Sequence, residues 1–175
     1  MTVSDTRQVT PPPDKAAWHS RAVDELRYWE DFPVGLETVH GTHEITADEI
    51  MRFAREFDPQ PFHVDPQAAA DGPFGGLIAS GWHTAALHMS MFVRSQLLGT
   101  ASMGSPGVED LRWLVPVRPG DVLTGRSRVV DAWPSDTAPG RGTVVGEHEL
   151  VNQRGEVVLR MRARGHLARR PPASS

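Results

Sequence analysis

Apolar residues recur along this chain with two different periods, and the change from one to the other divides it. Over 36–45, β-forming residues surround Gly41 and predict a first strand. Then Ile50, Phe53, Ala54 and Phe57 fall at i, i+3, i+4 and i+7 behind Thr46-Ala47-Asp48-Glu49, a capping-box pattern, so a short amphipathic helix should deliver the chain to Asp58. A second helical pattern runs from 81 to about 98, with Trp82, Ala85, Ala86, Met89, Phe92 and Val93 on one stripe and Leu87, Met91 and Leu97 elsewhere. A helix apolar on more than one face is predicted to be buried, and Gly99 suits the position just past its end. Beyond it the pattern becomes strand-like over 108–115, 121–133, 142–151 and 156–167, with turn chemistry at Pro119-Gly120, at 134–140 and at Arg154-Gly155. In the last segment Leu159, Met161 and Ala163 alternate with Arg160, Arg162 and Arg164, one buried face against one polar face. Four consecutive strands predict an antiparallel sheet, and a sheet wrapped around one long apolar helix, an α+β arrangement, accommodates the order of elements.

The two ends do not share this patterning. Residues 1–27 are polar and contain Pro11-Pro12-Pro13, and 169–175 are equally poor in apolar residues, so both read as extensions of a single domain over 28–168. The 175 residues suit one well-cored domain, and 39% hydrophobic with 23% charged residues suits a globular protein. A net charge of -4 supplies no basic field for nucleic acid, which leaves small molecules or proteins as the expected partners. Cysteine is absent, which removes disulfides, thiolate nucleophiles and cysteine-ligated metals and fits a reducing compartment. The N-terminal stretch has no continuous apolar run of signal-peptide type and no segment reaches membrane-spanning length, so the expectation is a cytoplasmic protein without membrane contact.

The stretch Phe57-Asp58-Pro59-Gln60-Pro61-Phe62-His63 carries the chemistry. It sets a carboxylate five residues before an imidazole in a segment that two prolines stiffen, read as an ordered loop. Eighteen residues beyond His63, Ser80-Gly81-Trp82 opens the long helix. A carboxylate, an imidazole and a backbone N–H at a helix N-terminus together form an acid/base pair facing an oxyanion site. Read without that context, Asp58 is a turn or C-cap residue, His63 a partly buried loop histidine, Gly81 a flexible helix entry and Ser80 an N-cap. Asp65 is expected to cap the turn before Pro66. His83 with His88, and His40 with His43, do not face one point at their spacings, so no metal is expected. Phosphate-loop, dinucleotide and serine-hydrolase motifs are missing as well. The Arg160, Arg162 and Arg164 row could meet phosphates, but reads first as a solvated strand face.

These residues resemble the MaoC-like hydratases/dehydratases of the hotdog fold, which include R-specific enoyl-CoA hydratases. The resemblance rests on Tyr28-Trp29-Glu30-Asp31-Phe32 with Val34-Gly35, on Phe53-Ala54 through Asp58-Pro59-Gln60-Pro61-Phe62-His63-Val64-Asp65, on Gly75-Gly76-Leu77-Ile78-Ala79-Ser80-Gly81, and more weakly on Leu111-Arg112-Trp113 with Pro116-Val117 and Pro119-Gly120-Asp121. It implies that Asp58 and His63 are the catalytic dyad and that the amide of Gly81 supports the thioester oxyanion. Where R-specific hydratases usually have Asn within the dyad motif and His before the glycine, this chain has Gln60 and Ser80. The implied reaction adds water to a 2-enoyl thioester or removes it from a 3-hydroxyacyl thioester, linked to CoA or acyl carrier protein, with no cofactor beyond the CoA of the substrate. Gln60, Ser80 and Trp82 are the substrate-binding candidates, Trp82 as a wall of the acyl pocket. The resemblance also implies a homodimer or higher homo-oligomer with sheets paired edge to edge. Its rivals are a hotdog thioesterase and a non-catalytic acyl-binding hotdog subunit.

Overall fold

The structure, a computed structural model, describes residues 26–172. Its elements follow the order expected: β1 (Glu37–Glu44), α1 (Ala47–Phe57), α2 (Pro61–Val64), α3 (Pro66–Ala70), α4 (Gly81–Ser95), β2 (Gly107–Trp113), β3 (Val122–Pro134), β4 (Arg141–Val151) and β5 (Val157–Ala168). The strands form one antiparallel sheet in the order β1-β3-β4-β5-β2, with β1 and β2 at its edges. Among the described residues no helix is long and apolar enough to cross a membrane.

Local chemistry explains the entries. Thr46 accepts the Glu49 N–H, and the Glu49 carboxylate accepts the Thr46 N–H at 2.9 Å, so α1 starts with the capping box its sequence predicts. Asp65 caps α3 by accepting from Gln67 and Ala68, with Pro66 in the first helical position, where its missing N–H costs nothing. The main core joins Ile45, Ile50, Leu123, Leu150 and Leu159, all fully buried, with Met91 from α4. Each such side chain contributes about 1.5–3 kcal/mol by leaving water. A smaller cluster of Phe32, Val129, Val144 and Leu167 closes the other part of the sheet.

Three features differ from the pattern read in the sequence. The long helix stops at Ser95 and passes into a 3-10 turn over Leu97–Gly99, so Gly99 ends that turn and not the α-helix. The face of α4 buried within this chain carries His83, Thr84, His88 and Met91, while Trp82 and Met89 of the apolar stripe stay exposed. The chain is also fastened at positions assigned to the extensions: Arg27 exchanges backbone hydrogen bonds with Gly99 and Ala101, and Arg170 pairs with Asp31. The remainder of the N-terminal extension, 1–25, and residues 173–175 lie outside the described residues. The arginines on the outer face of β5 are met by carboxylates of neighbouring strands, Arg160 by Glu149 at 2.8 Å and Arg164 by Glu109 at 3.0 Å, the solvated face expected of them.

Candidate active site

Helix α1 ends at Asp58, whose N–H reaches the carbonyl of Ala54 and whose backbone (φ -155°, ψ 68°) turns the chain out of the helix. The following segment is not a loop throughout: Pro61 opens the single turn α2, and that turn carries His63 inward to 4% exposure. His63 Nδ1 lies 2.8 Å from the carbonyl oxygen of Ile78. A carbonyl only accepts, so Nδ1 donates to it and Nε2 is left to face the other way. Nε2 sits 3.4 Å from Asp58 Oδ2. Nε2 and Oδ2 together frame a place where one water can contact both groups.

The carboxylate accepts two hydrogen bonds. The Ser80 hydroxyl donates to Asp58 Oδ2 at 2.7 Å, and the Gln60 amide donates to Oδ1 at 2.8 Å. Chiefly through the Ser80 hydrogen bond, with Gln60 and His63 adding to it against partial desolvation, the Asp58 carboxyl is held below the ordinary carboxylate value and stays ionised near neutrality.

Ser80 and Gly81 join this pair to α4. Ser80 Oγ also accepts the Trp82 N–H at 3.2 Å, so one hydroxyl caps the helix and steadies Asp58. The amide of Gly81, in the first turn, has no acceptor within the helix, and the helix dipole adds positive character there. Trp113, at the end of β2, closes over this glycine: its indole Nε1–H donates to the Gly81 carbonyl at 2.8 Å, and a Cβ on Gly81 would lie 2.5 Å from the indole ring. Only glycine fits beneath Trp113. His63, Gly81 and Trp113 line a cleft of about 270 Å³ together with Phe62, Phe74 and Leu114.

Two candidates are placed differently from the others. Ser80 is 0% exposed, with its hydroxyl committed to Asp58 and the helix start. Trp82 is 61% exposed and is not among the residues lining the cleft; Trp113, against whose ring it packs edge to face at 5.4 Å, is the tryptophan that does. Gln60 is exposed, with its amide on Asp58. Neither contact of Trp113 has a signal in the sequence, because both depend on where the edge strand crosses the helix start. The histidines also meet differently from their spacing: neither pair read from the sequence converges, but His40, His88 and His148 do.

A MaoC like domain model matches residues 35–151, two thirds of the chain, with Asp58, His63 and Gly81 inside the match. The chain belongs to the MaoC-like domain family. Its fold is the hotdog fold of that family. A MaoC-like dehydratase from Rhodospirillum rubrum superimposes with a TM-score of 0.77 at 44% identity, covering 83% of this chain and 99% of that one. A 3-hydroxybutyryl-CoA dehydratase of Methylorubrum extorquens is 35% identical over 116 residues, 63% of this chain and 69% of the relative. The (R)-hydratase from A. caviae involved in PHA biosynthesis matches with a TM-score of 0.64 at 25% identity, covering 81% and 99%. This MaoC-like chain therefore shares its scaffold with hydratases and dehydratases.

Proposed function

We propose that this MaoC-like protein is a hydratase/dehydratase that interconverts a 2-enoyl thioester and its 3-hydroxyacyl thioester. The observation that carries this reading is the geometry at Asp58 and His63: an ionised carboxylate 3.4 Å from the Nε2 of an imidazole whose other nitrogen is fixed on the Ile78 carbonyl. A water there donates one hydrogen to each acceptor, and its freed lone pair attacks the β-carbon of the enoyl thioester. The α-carbon then takes a proton from the dyad, so the elements of water add across the double bond without a change in the dyad's net protonation. Charge that develops on the thioester oxygen meets the Gly81 N–H at the start of α4. No redox step occurs, because addition of water leaves the acyl group and water together at the same oxidation level.

The cleft, about 270 Å³ and walled by Phe62, Phe74, Trp113 and Leu114, suits a short acyl chain. The likeness to a 3-hydroxybutyryl-CoA dehydratase points the same way. A second copy of the chain is part of the proposal, since Trp82, Trp113 and Leu114 expose apolar surface beside the cleft and β2 pairs on one side only, with β5. The test is an assay of the full chain with four-carbon 2-enoyl-CoA, following the absorbance of the conjugated enoyl thioester with a thiol reagent in parallel. Loss of the double bond with no thiol release is the expected result. Thiol release with the double bond intact makes the protein a thioesterase, and turnover of neither makes it a binding subunit.

A further inference from the structure

Three histidines from separate elements meet inside the fold, away from the cleft: His40 of β1, His88 of α4 and His148 of β4. Their exposures are 6%, 0% and 6%, and one ring nitrogen from each lies within 4.8 Å of the others. Buried imidazole nitrogens ordinarily have partners. Here both nitrogens of His88 and the Nδ1 of His148 have none among the described residues. Burial keeps His88 and His148 unprotonated at neutral pH, so each ring offers a lone pair to the interior.

We propose that His40, His88 and His148 form a binding site for a transition-metal ion of the zinc class. Three neutral imidazoles without a thiolate or carboxylate are a donor set suited to Zn²⁺ and its neighbours in the first row, not to Mg²⁺ or Ca²⁺. At a Zn–N distance of about 2.1 Å, tetrahedral coordination needs the nitrogens about 3.4 Å apart, so the rings close on the ion by small rotations. His40 is braced for that movement. One of its nitrogens is hydrogen-bonded to Ser95 Oγ at 2.7 Å and the other to Ser127 Oγ at 2.8 Å, so whichever turns to the ion, the other keeps a hydroxyl to orient the ring. Gly146 leaves the space His148 occupies: a Cβ there would stand 2.5 Å from its Nε2. Phe92 packs against all three rings. An entry path is present as well, because His148, Phe92, Gly146 and Ser127 line a cavity of about 180 Å³ that shares no residue with the cleft at His63. A fourth ligand would come from that cavity, which His148 lines. An anionic ligand there, hydroxide or a small carboxylate, would offset the charge that three neutral ligands leave on the ion.

This inference is independent of the proposed hydratase activity, and its test needs no turnover. The full chain, purified without a polyhistidine tag and stripped with a chelator, is dialysed against Zn²⁺ and, separately, Co²⁺. One ion per chain is expected, with the ligand-field absorption of tetrahedral Co²⁺ and three imidazole nitrogens around zinc by X-ray absorption. His88→Gln and His148→Gln should each weaken binding more than tenfold, and the wild-type spectra answer the question even if a variant does not fold. Fewer than one ion in ten chains, an ion coordinated by water and carboxylates, or folded variants that bind as the wild type does would each overturn the site. Buried water would then be the partner these nitrogens lack.

Discussion

The indole of Trp113 occupies the place where a side chain on Gly81 would be, with its Nε1–H on the Gly81 carbonyl at 2.8 Å and its ring 2.5 Å from a Cβ built there. The glycine is therefore required by the tryptophan as well as by the helix start. Gly81→Ala should lower turnover on the order of 10²-fold, as removal or displacement of an oxyanion donor does. Trp113→Ala in the same chain should restore part of that loss by vacating the space. Steady-state kinetics of the two single variants and the double variant check this, and a double variant worse than either single one would show that the indole does not compete with the Cβ.

Ser80 acts on the site through Asp58. Without its hydroxyl the strongest interaction holding the Asp58 carboxyl down is gone, so Ser80→Ala should raise that pKa and move the acidic limb of the pH–rate profile to higher pH. Loss of the cap should cost a further ~1 kcal/mol of stability. An unmoved acidic limb beside a lowered melting temperature would reduce Ser80 to a helix cap.

What was legible in the sequence follows from distance along the chain. Asp58 and His63 could be paired because five residues and two prolines fix their separation locally, and β5 could be read because Leu159 and Met161 alternate with Arg160 and Arg162. Helix α4 departs from its sequence pattern in one respect. Apolar periodicity shows which side avoids water, but Trp82 and Met89 lie on a face left open in the single chain, while polar-looking His83, Thr84 and His88 pack inward. The meeting of His40 with His148 depends on the registers of β1 on β3 and β3 on β4, and the closure of Trp113 over Gly81 on the path of the edge strand after α4. Neither leaves a local trace.

The exposed part of α4 bears on assembly. Trp82→Glu, at a residue 61% exposed, should leave the fold of each chain intact while converting the proposed dimer into monomers. Light scattering reports the mass directly, and an undiminished dimer would place the contact elsewhere.

Acid should destabilise the metal-free protein earlier than its carboxylates alone require. Burial lowers the pKa of His88 to about 3 and of His148 to about 4, against about 6.5 in the unfolded chain. Above pH 6.5 both states hold these rings neutral and stability is at its full value. As pH falls below 6.5 the unfolded state takes up protons that the folded state refuses, and each histidine can remove up to about 1.4 kcal/mol per pH unit until its folded pKa is reached. Denaturant titrations from pH 7 to pH 4 should show this slope, reduced in His148→Gln; an equal slope in wild type and variant would mean His148 takes its proton in the folded state.

Asp58 and His63 together carry the proposed proton transfer. Asp58→Asn and His63→Gln preserve shape and remove that capacity, so each should slow hydration of a four-carbon 2-enoyl-CoA by at least about 10²-fold while the fold and substrate binding persist. The direct measurement is the decay of enoyl-thioester absorbance in wild type and both variants at saturating substrate. A loss of that size in both supports the dyad; wild-type rates in both variants would contradict it and return Asp58 and His63 to structural roles.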